Sequence, residues 1–128
     1  MKKEKIHLEY LLNPTSKNLI WAAISTPTGL EEWFADKVIS DDKNVTFFWG
    51  KTEQKKAEII AIRAYSYIRF RWLEDDNERE YFEIRMNSSE LTNDFVIEII
   101  DFAYPDEVED LKELWDSQID TLRRTYGF

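Results

Sequence analysis

The chain has 128 residues, no cysteine, only three glycines and three prolines, and a formal net charge of −9. That length suits a single domain over residues 1–128, burying roughly two thirds of its unfolded surface without disulfides. The composition excludes thiol catalysis, thiolate metal sites and a disulfide framework, and the acidic balance opposes the phosphates that a sequence-independent nucleic-acid binder must neutralise.

The first ten residues, "MKKEKIHLEY", carry lysines with no apolar run behind them, so they do not read as a signal peptide. No segment approaches the roughly 20 apolar residues of a membrane span. The expectation is a cytoplasmic protein with no nucleic-acid partner and no membrane span. Lys51, Lys55 and Lys56 form a local basic concentration, which reads as a solubilising hairpin end.

Residues 6–12 alternate Ile6, Leu8, Tyr10 and Leu12 against His7 and Glu9, the period of a half-buried strand. "NPTS" breaks it. Thr15 or Ser16 can cap the next helix, because a short hydroxyl side chain accepts from the unbonded N–H groups of a first turn. In that helix, "KNLIWAAI", Leu19, Ile20, Ala23 and Ile24 lie near one face, with Trp21 as a partly exposed cover at its edge. Thr26 caps a second short helix that Pro27 opens without losing a hydrogen bond. Leu30, Trp33 and Phe34 share one side of it.

From Lys37 to Ala103 the chain reads as strands. "KVIS" is short; "NVTFFWG" and "KAEIIAIRA" flank a polar hairpin tip with Gly50 at the bend; "YSYIRFRWL" and "REYFEIRMN" flank a second tip, "EDDNE"; "DFVIEIIDFA" is the last strand. In the second hairpin, setting Phe70 opposite Phe82 also sets Ile68 opposite Ile84, and on the other face Arg69 opposite Glu83 and Tyr67 opposite Arg85. One register thus yields an apolar face and a charge-matched face, and a slip of one residue destroys both. Ile68, Phe70, Trp72, Phe82, Ile84 and Met86 are expected to point inward, and the Arg69–Glu83 pair to be solvated and worth little to stability.

Pro105 opens a long final helix in which Val108, Leu111, Trp115, Ile119, Leu122 and Tyr126 form one apolar stripe. Asp106 and Glu107 at its start and Arg123 and Arg124 at its end suit the helix dipole, and Gly127 is the stop. The expected fold is α+β: a six- to seven-stranded antiparallel sheet whose apolar face is covered by the long helix, with two short helices plugging one end.

That order, with the stretches "LEYLLNPTSKNLIWAAIS", "TPTGLEEWFADKV", "IRFRW" and "LWDSQIDTLRRTYG", resembles the START-like helix-grip superfamily, and within it the heat-shock ATPase activator homologue family of small bacterial proteins. The resemblance covers nearly the whole chain. It implies a curved sheet wrapped on the last helix and a cavity between them that takes an apolar small molecule. Some relatives instead act on protein partners, and others are cyclase- or dehalogenase-like enzymes. The strand region "VTFFWGKTEQKKAEIIAI" lacks glycines that many relatives carry, and the chain is short, which implies a small or filled interior.

Trp33, Trp49, Trp72 and Trp115 are expected to converge between the sheet and the last helix, where they either line a pocket or fill a core. With Phe34, Phe70, Phe82, Ile84 and Ile119 they make up the candidate cavity lining. Arg63 and Tyr65 at a strand end, Tyr67, and Tyr104 before the long helix are candidate polar anchors for a ligand head. His7, the single histidine, reads as a surface strand residue, and no carboxylate–histidine cluster or metal motif is visible in the sequence. The acidic runs read as solvated helix starts and a hairpin tip. No nucleophile elbow or phosphate-binding glycine loop occurs. The function expected is non-enzymatic binding of a small hydrophobic or amphipathic molecule without a cofactor, the two short helices and Trp33–Phe34 forming the lid or entrance. The alternatives are a protein-interaction module resembling the ATPase activators and a cavity enzyme of cyclase or hydrolase type.

Overall fold

The computed structural model describes residues 2–74, 79–88, 91–92 and 94–128. Strand β1 (Glu4–Leu11) leads into two helices, α1 (Lys17–Ser25) and α2 (Pro27–Glu31). Six strands follow: β2 (Lys37–Asp41), β3 (Asn44–Trp49), β4 (Glu53–Arg63), β5 (Tyr67–Trp72), β6 (Phe82–Ser88) and β7 (Phe95–Ala103). A 3₁₀ turn (Pro105–Glu107) and the long helix α3 (Val108–Tyr126) close the chain. All seven strands form one antiparallel sheet in the order β1-β7-β6-β5-β4-β3-β2, so the two short helices carry the chain from one edge to the other. Ile60 is an extra residue between the pairs Ile59–Phe70 and Ala61–Arg69, a bulge that bends β4 and adds to the curvature of the sheet. The architecture is α+β, a seven-stranded curved sheet gripping α3.

Local chemistry explains the helical corner. The Ser16 hydroxyl accepts from the Leu19 N–H at 3.1 Å and starts α1. Thr26 works twice: its hydroxyl donates to the Ala22 carbonyl at 2.7 Å and accepts from the Gly29 N–H at 2.9 Å, ending one helix and starting the next. Gly29 is where the two helices touch. A Cβ there would overlap the Ala22 carbonyl oxygen and lie 2.7 Å from the Ala23 Cα, both backbone atoms. Leu19, expected with the buried face of α1, is exposed; the packed stripe is Ile20, Ala23 and Ile24, and Leu19 lies at its margin.

The hairpin of β5 and β6 has the register that its side chains require, Phe70–Phe82, Ile68–Ile84, Arg69–Glu83 and Tyr67–Arg85. The tip residues 75–78 lie outside the described residues. The expectation of a solvated Arg69–Glu83 pair is corrected. Glu83 has 0% exposure, and its two oxygens accept from Arg69 Nε at 2.7 Å and Arg85 Nη1 at 2.8 Å. Alternation alone puts this carboxylate on the outer face of an internal strand. The cover comes from neighbours: the Arg69 guanidinium lies 4.3 Å from the Tyr81 ring centre and that of Arg85 4.7 Å from Tyr67.

Helix α3 begins at Val108 rather than at Pro105, which opens the 3₁₀ turn. Trp115, Ile119 and Leu122 are its buried residues, and Gly127, at φ 74°, ends it by donating from its N–H to the Arg123 carbonyl. The Tyr10 hydroxyl donates to Asp116 at 2.6 Å and Arg123 Nη2 to the Leu11 carbonyl at 2.7 Å, which ties the helix to the sheet edge. Among the described residues, no helix is long and apolar enough to cross a membrane.

Candidate functional site

The interface between α3 and the sheet divides into a filled part and an open one. Phe47, Phe70, Ile84 and Ile119 are fully buried in the core cluster and do not line the cleft. Toward the end of the sheet where Trp49, Trp72 and Asp101 stand, the packing opens into a cleft of about 320 Å³. Its walls are the rings of Phe34, Trp49, Trp72, Phe82 and Trp115, with Leu111 and Leu114 from α3; its polar groups are Glu53, Lys55, Asp101 and Gln118.

Strand register places these groups. Trp49 pairs with Glu53, Phe47 with Lys55 and Val45 with Ala57, so Glu53 and Lys55 share the inward face with the core residues Phe47 and Ala57. Asp101 follows Ile97 and Ile99 at period two along β7 and therefore also faces inward. Its Oδ2 accepts from Trp115 Nε1 at 2.9 Å and its Oδ1 from the Phe102 N–H at 2.7 Å. The Lys55 ammonium sits 5.0 Å from the centre of the Trp72 ring.

Phe34 is the hub of the cleft. Its ring stacks on Phe82 at 5.6 Å and meets Phe47, Trp49 and Trp115 within 6 Å. Its carbonyl accepts from both Trp49 Nε1, at 2.8 Å, and Gln118 Nε2, at 3.2 Å. A second, shallower depression adjoins the cleft, sharing Phe34, Trp49, Leu114 and Gln118 with it and adding Glu31, Glu32 and Asp36.

Of the residues singled out from sequence, the structure brings Phe34, Trp49, Trp72, Phe82 and Trp115 together around the cleft. Phe70, Ile84 and Ile119 lie behind them in the filled core. Trp33 is buried, donates its indole N–H to the Ala23 carbonyl at 2.9 Å, and borders the shallow depression rather than the cleft. None of the four candidate anchors lines the cleft. Tyr65 holds a positive φ of 59° in the β4–β5 turn, packs on Trp21 and carries Lys17 over its ring; Tyr67 lies on the outer face under Arg69 and Arg85; Tyr104 carries Lys3 over its ring; Arg63 is exposed. The polar groups the cleft does contain are not among those candidates, although Asp101 is the one acid of β7 in phase with Ile97, Ile99 and Ala103.

The sequence shows no carboxylate–histidine cluster, yet the fold makes one. His7, Glu9 and Glu98 bring their ligand-type atoms within 4.8 Å on the outer face of β1 and β7, because Glu98 pairs with Glu9 across the strands. His7 and Glu9 are exposed, and Glu98 already accepts from Asn87 at 2.7 Å and lies 3.9 Å from Arg85.

Comparison with known proteins fits this geometry. The chain is similar to a Bacteroides fragilis protein whose solution NMR structure is 73% identical, with a TM-score of 0.71, covering 100% of this chain and 94% of that one. It also resembles the solution structure of the Aha1 dimer from Colwellia psychrerythraea, with 12% identity, a TM-score of 0.75 and coverage of 93% and 92%. A Bacillus thuringiensis crystal structure matches with 9% identity, a TM-score of 0.80 and coverage of 98% and 100%. The last two are likenesses of fold alone. No curated protein matches the chain. The START-like superfamily domain model matches residues 1–128 from end to end, and the chain therefore belongs to the START-like superfamily.

Proposed function

We propose that this protein is a non-enzymatic binder of a small hydrophobic or amphipathic molecule, held in the cleft between the open end of the sheet and α3. The observation that carries this reading is the cleft itself. Five aromatic rings border about 320 Å³ of space instead of packing it shut, a volume at the lower end of the range for small-molecule sites. A ligand burying about 200 Å² of apolar surface gains about 5 kcal/mol before ordering costs. The membership of a START-like superfamily supports a binding or interaction module in general terms.

Native mass spectrometry of the gently purified protein tests it. An extra mass that leaves on denaturation is the expected result, and its identity names the ligand. A bare protein mass, together with no binder in a screen of small aromatic and aliphatic compounds, overturns the reading.

The second reading is a protein-interaction module, by analogy with the ATPase activators. The filled interior behind the cleft and the net charge of −9 favour it. Its acidic surface would meet a basic partner in fast, salt-sensitive association. Capture of one partner that is lost at raised ionic strength, with an empty cleft, is its expected signature.

A further inference from the structure

The polar groups of the cleft point to the chemistry of its occupant. An organic cation is held by two things, the negative face of an aromatic ring within about 6 Å and a nearby carboxylate. Both are present. Trp49, Trp72 and Trp115 are wall rings, and Glu53 and Asp101 stand among them. The adjoining depression shares Phe34 and Trp49 with the cleft and adds Glu31, Glu32 and Asp36. Among the described residues, the cleft and the neighbouring depression together are lined by five carboxylates, of which Glu31 and Asp36 already accept from backbone N–H groups, against one ammonium, Lys55. An anionic head would enter against that field, in a chain whose net charge is already −9.

Lys55 supplies the second observation. Its ammonium lies 5.0 Å from the centre of the Trp72 ring, so the cleft already seats a cation on one of its rings, and that cation belongs to an exposed, flexible side chain. Such a side chain is displaced into water at little cost. The volume sets the size of what replaces it. At about 320 Å³, the lower end of the range for small-molecule sites, the cleft suits a small occupant.

We infer that the ligand of the cleft is a small alkyl- or arylalkyl-ammonium ion, which takes the place of the Lys55 ammonium over Trp72 and balances its charge against Asp101 and Glu53. This rests on the cleft-binding reading above and adds the sign of the head group.

Three probes with one tail and different heads decide it: phenylpropylamine, phenylpropanol and phenylpropanoate, titrated at neutral pH into the ¹⁵N-labelled protein. The indole N–H signals of Trp49 and Trp115 report occupancy. The amine is expected to bind about tenfold more tightly than the alcohol, with the carboxylate weakest. Lys55→Gln, which removes the competing ammonium from Trp72, should tighten the amine several-fold more than it changes the alcohol. Glu53→Gln, at an exposed side chain of the cleft, should erase a large part of the amine's advantage. If the alcohol or the carboxylate binds as tightly as the amine, the cationic assignment is wrong and the binding reading survives. If the amine moves only backbone signals of surface acids, its attraction is non-specific and the assignment is wrong. If no probe moves either indole in the millimolar range, both readings fall.

Discussion

Glu83 offers the sharpest test of how this sheet is held together. Replace it with Gln. The side chain keeps its shape, but one of its two acceptor oxygens becomes an NH₂ group. Arg69 Nε and Arg85 Nη1 each donate to a different carboxylate oxygen, so one guanidinium N–H must now face another donor. Water cannot relieve the amide, because the residue has 0% exposure. A hydrogen bond to a charged group contributes about 1.5–3 kcal/mol, and breaking a buried pair costs about 3–5 kcal/mol. The arginine side chains keep 33% and 28% exposure, so they recover part of their solvation and the lower end applies, about 3 kcal/mol. With an unfolding entropy of about 2.1 cal/mol/K per residue over 128 residues, the melting temperature should fall by about 11 °C. Thermal unfolding followed by circular dichroism at neutral pH measures this directly. A solvated pair would be worth at most about 1 kcal/mol, a drop of about 4 °C. A drop that small would show that the two arginines do not depend on the Glu83 carboxylate and would refute the buried-network account.

Gly29→Ala should destabilise the protein by about 2–3 kcal/mol in urea unfolding, because the added Cβ meets the backbone of Ala22 and Ala23 and forces the two short helices apart. Trp33→Ala should cost about 3–5 kcal/mol of stability, as for a buried core indole, and change ligand affinity only in step with the folded fraction; Trp72→Ala, at a half-buried wall of the cleft, should do the reverse. Burial, and then the hydrogen bond to Asp116, push the Tyr10 hydroxyl above its ordinary range, and burial does the same for Tyr126. A raised folded pKa gives stability that is complete below the unfolded value of about 10 and is lost as the pH climbs beyond it, so unfolding midpoints should decline from about pH 10 upward. Tyr10→Phe should flatten that decline, Tyr126 supplying the remainder, and an unchanged slope would show that Tyr10 does not carry it.

The fold was legible because its signals are local and repeat. The α3 stripe from Leu111 to Leu122, the caps at Ser16 and Thr26, and the pairing of Phe70 with Phe82 each follow from helix or strand period. The lining of the candidate site was legible only in its apolar half. Large aromatic side chains mark an interior, and Phe34, Trp49, Trp72, Phe82 and Trp115 do meet around one cleft. The same reasoning could not separate them from Phe70 and Ile119, since wall and core residues obey the same periodicity and differ only in what remains empty beside them. The candidate anchors Arg63, Tyr65, Tyr67 and Tyr104 lie on turns, strand ends and the outer face. The polar groups in the cleft are instead charged residues at inward positions near strand ends, Glu53, Lys55 and Asp101. Glu83 escaped for a complementary reason: alternation assigns a face but not the side chains that fold over it, here Arg69, Arg85 and the tyrosine rings.

Why the cleft stays open, rather than collapsing as a cavity bordered by aromatic rings otherwise would, follows from how its walls are fastened. Trp49 donates its indole N–H to the Phe34 carbonyl, and Trp115 donates to Asp101. Swinging either ring into the space would break that bond and leave a part-buried polar group unpaired, at a cost of about 1–3 kcal/mol. Phe34 cannot fill the gap because its ring is held between Phe82 and Trp115 and its carbonyl carries a second donor, Gln118. The adjacent aromatics of the short "EEWFAD" segment therefore divide their labour: Trp33 locks the helical corner to the core, and Phe34 fixes two cleft tryptophans in place through one carbonyl and one ring. A site whose walls are already immobilised does not have to order them again when a ligand enters. Lys55 is exposed and rests on Trp72 through a cation–π contact, so under the proposed binding its displacement is the step at which charge would regulate occupancy.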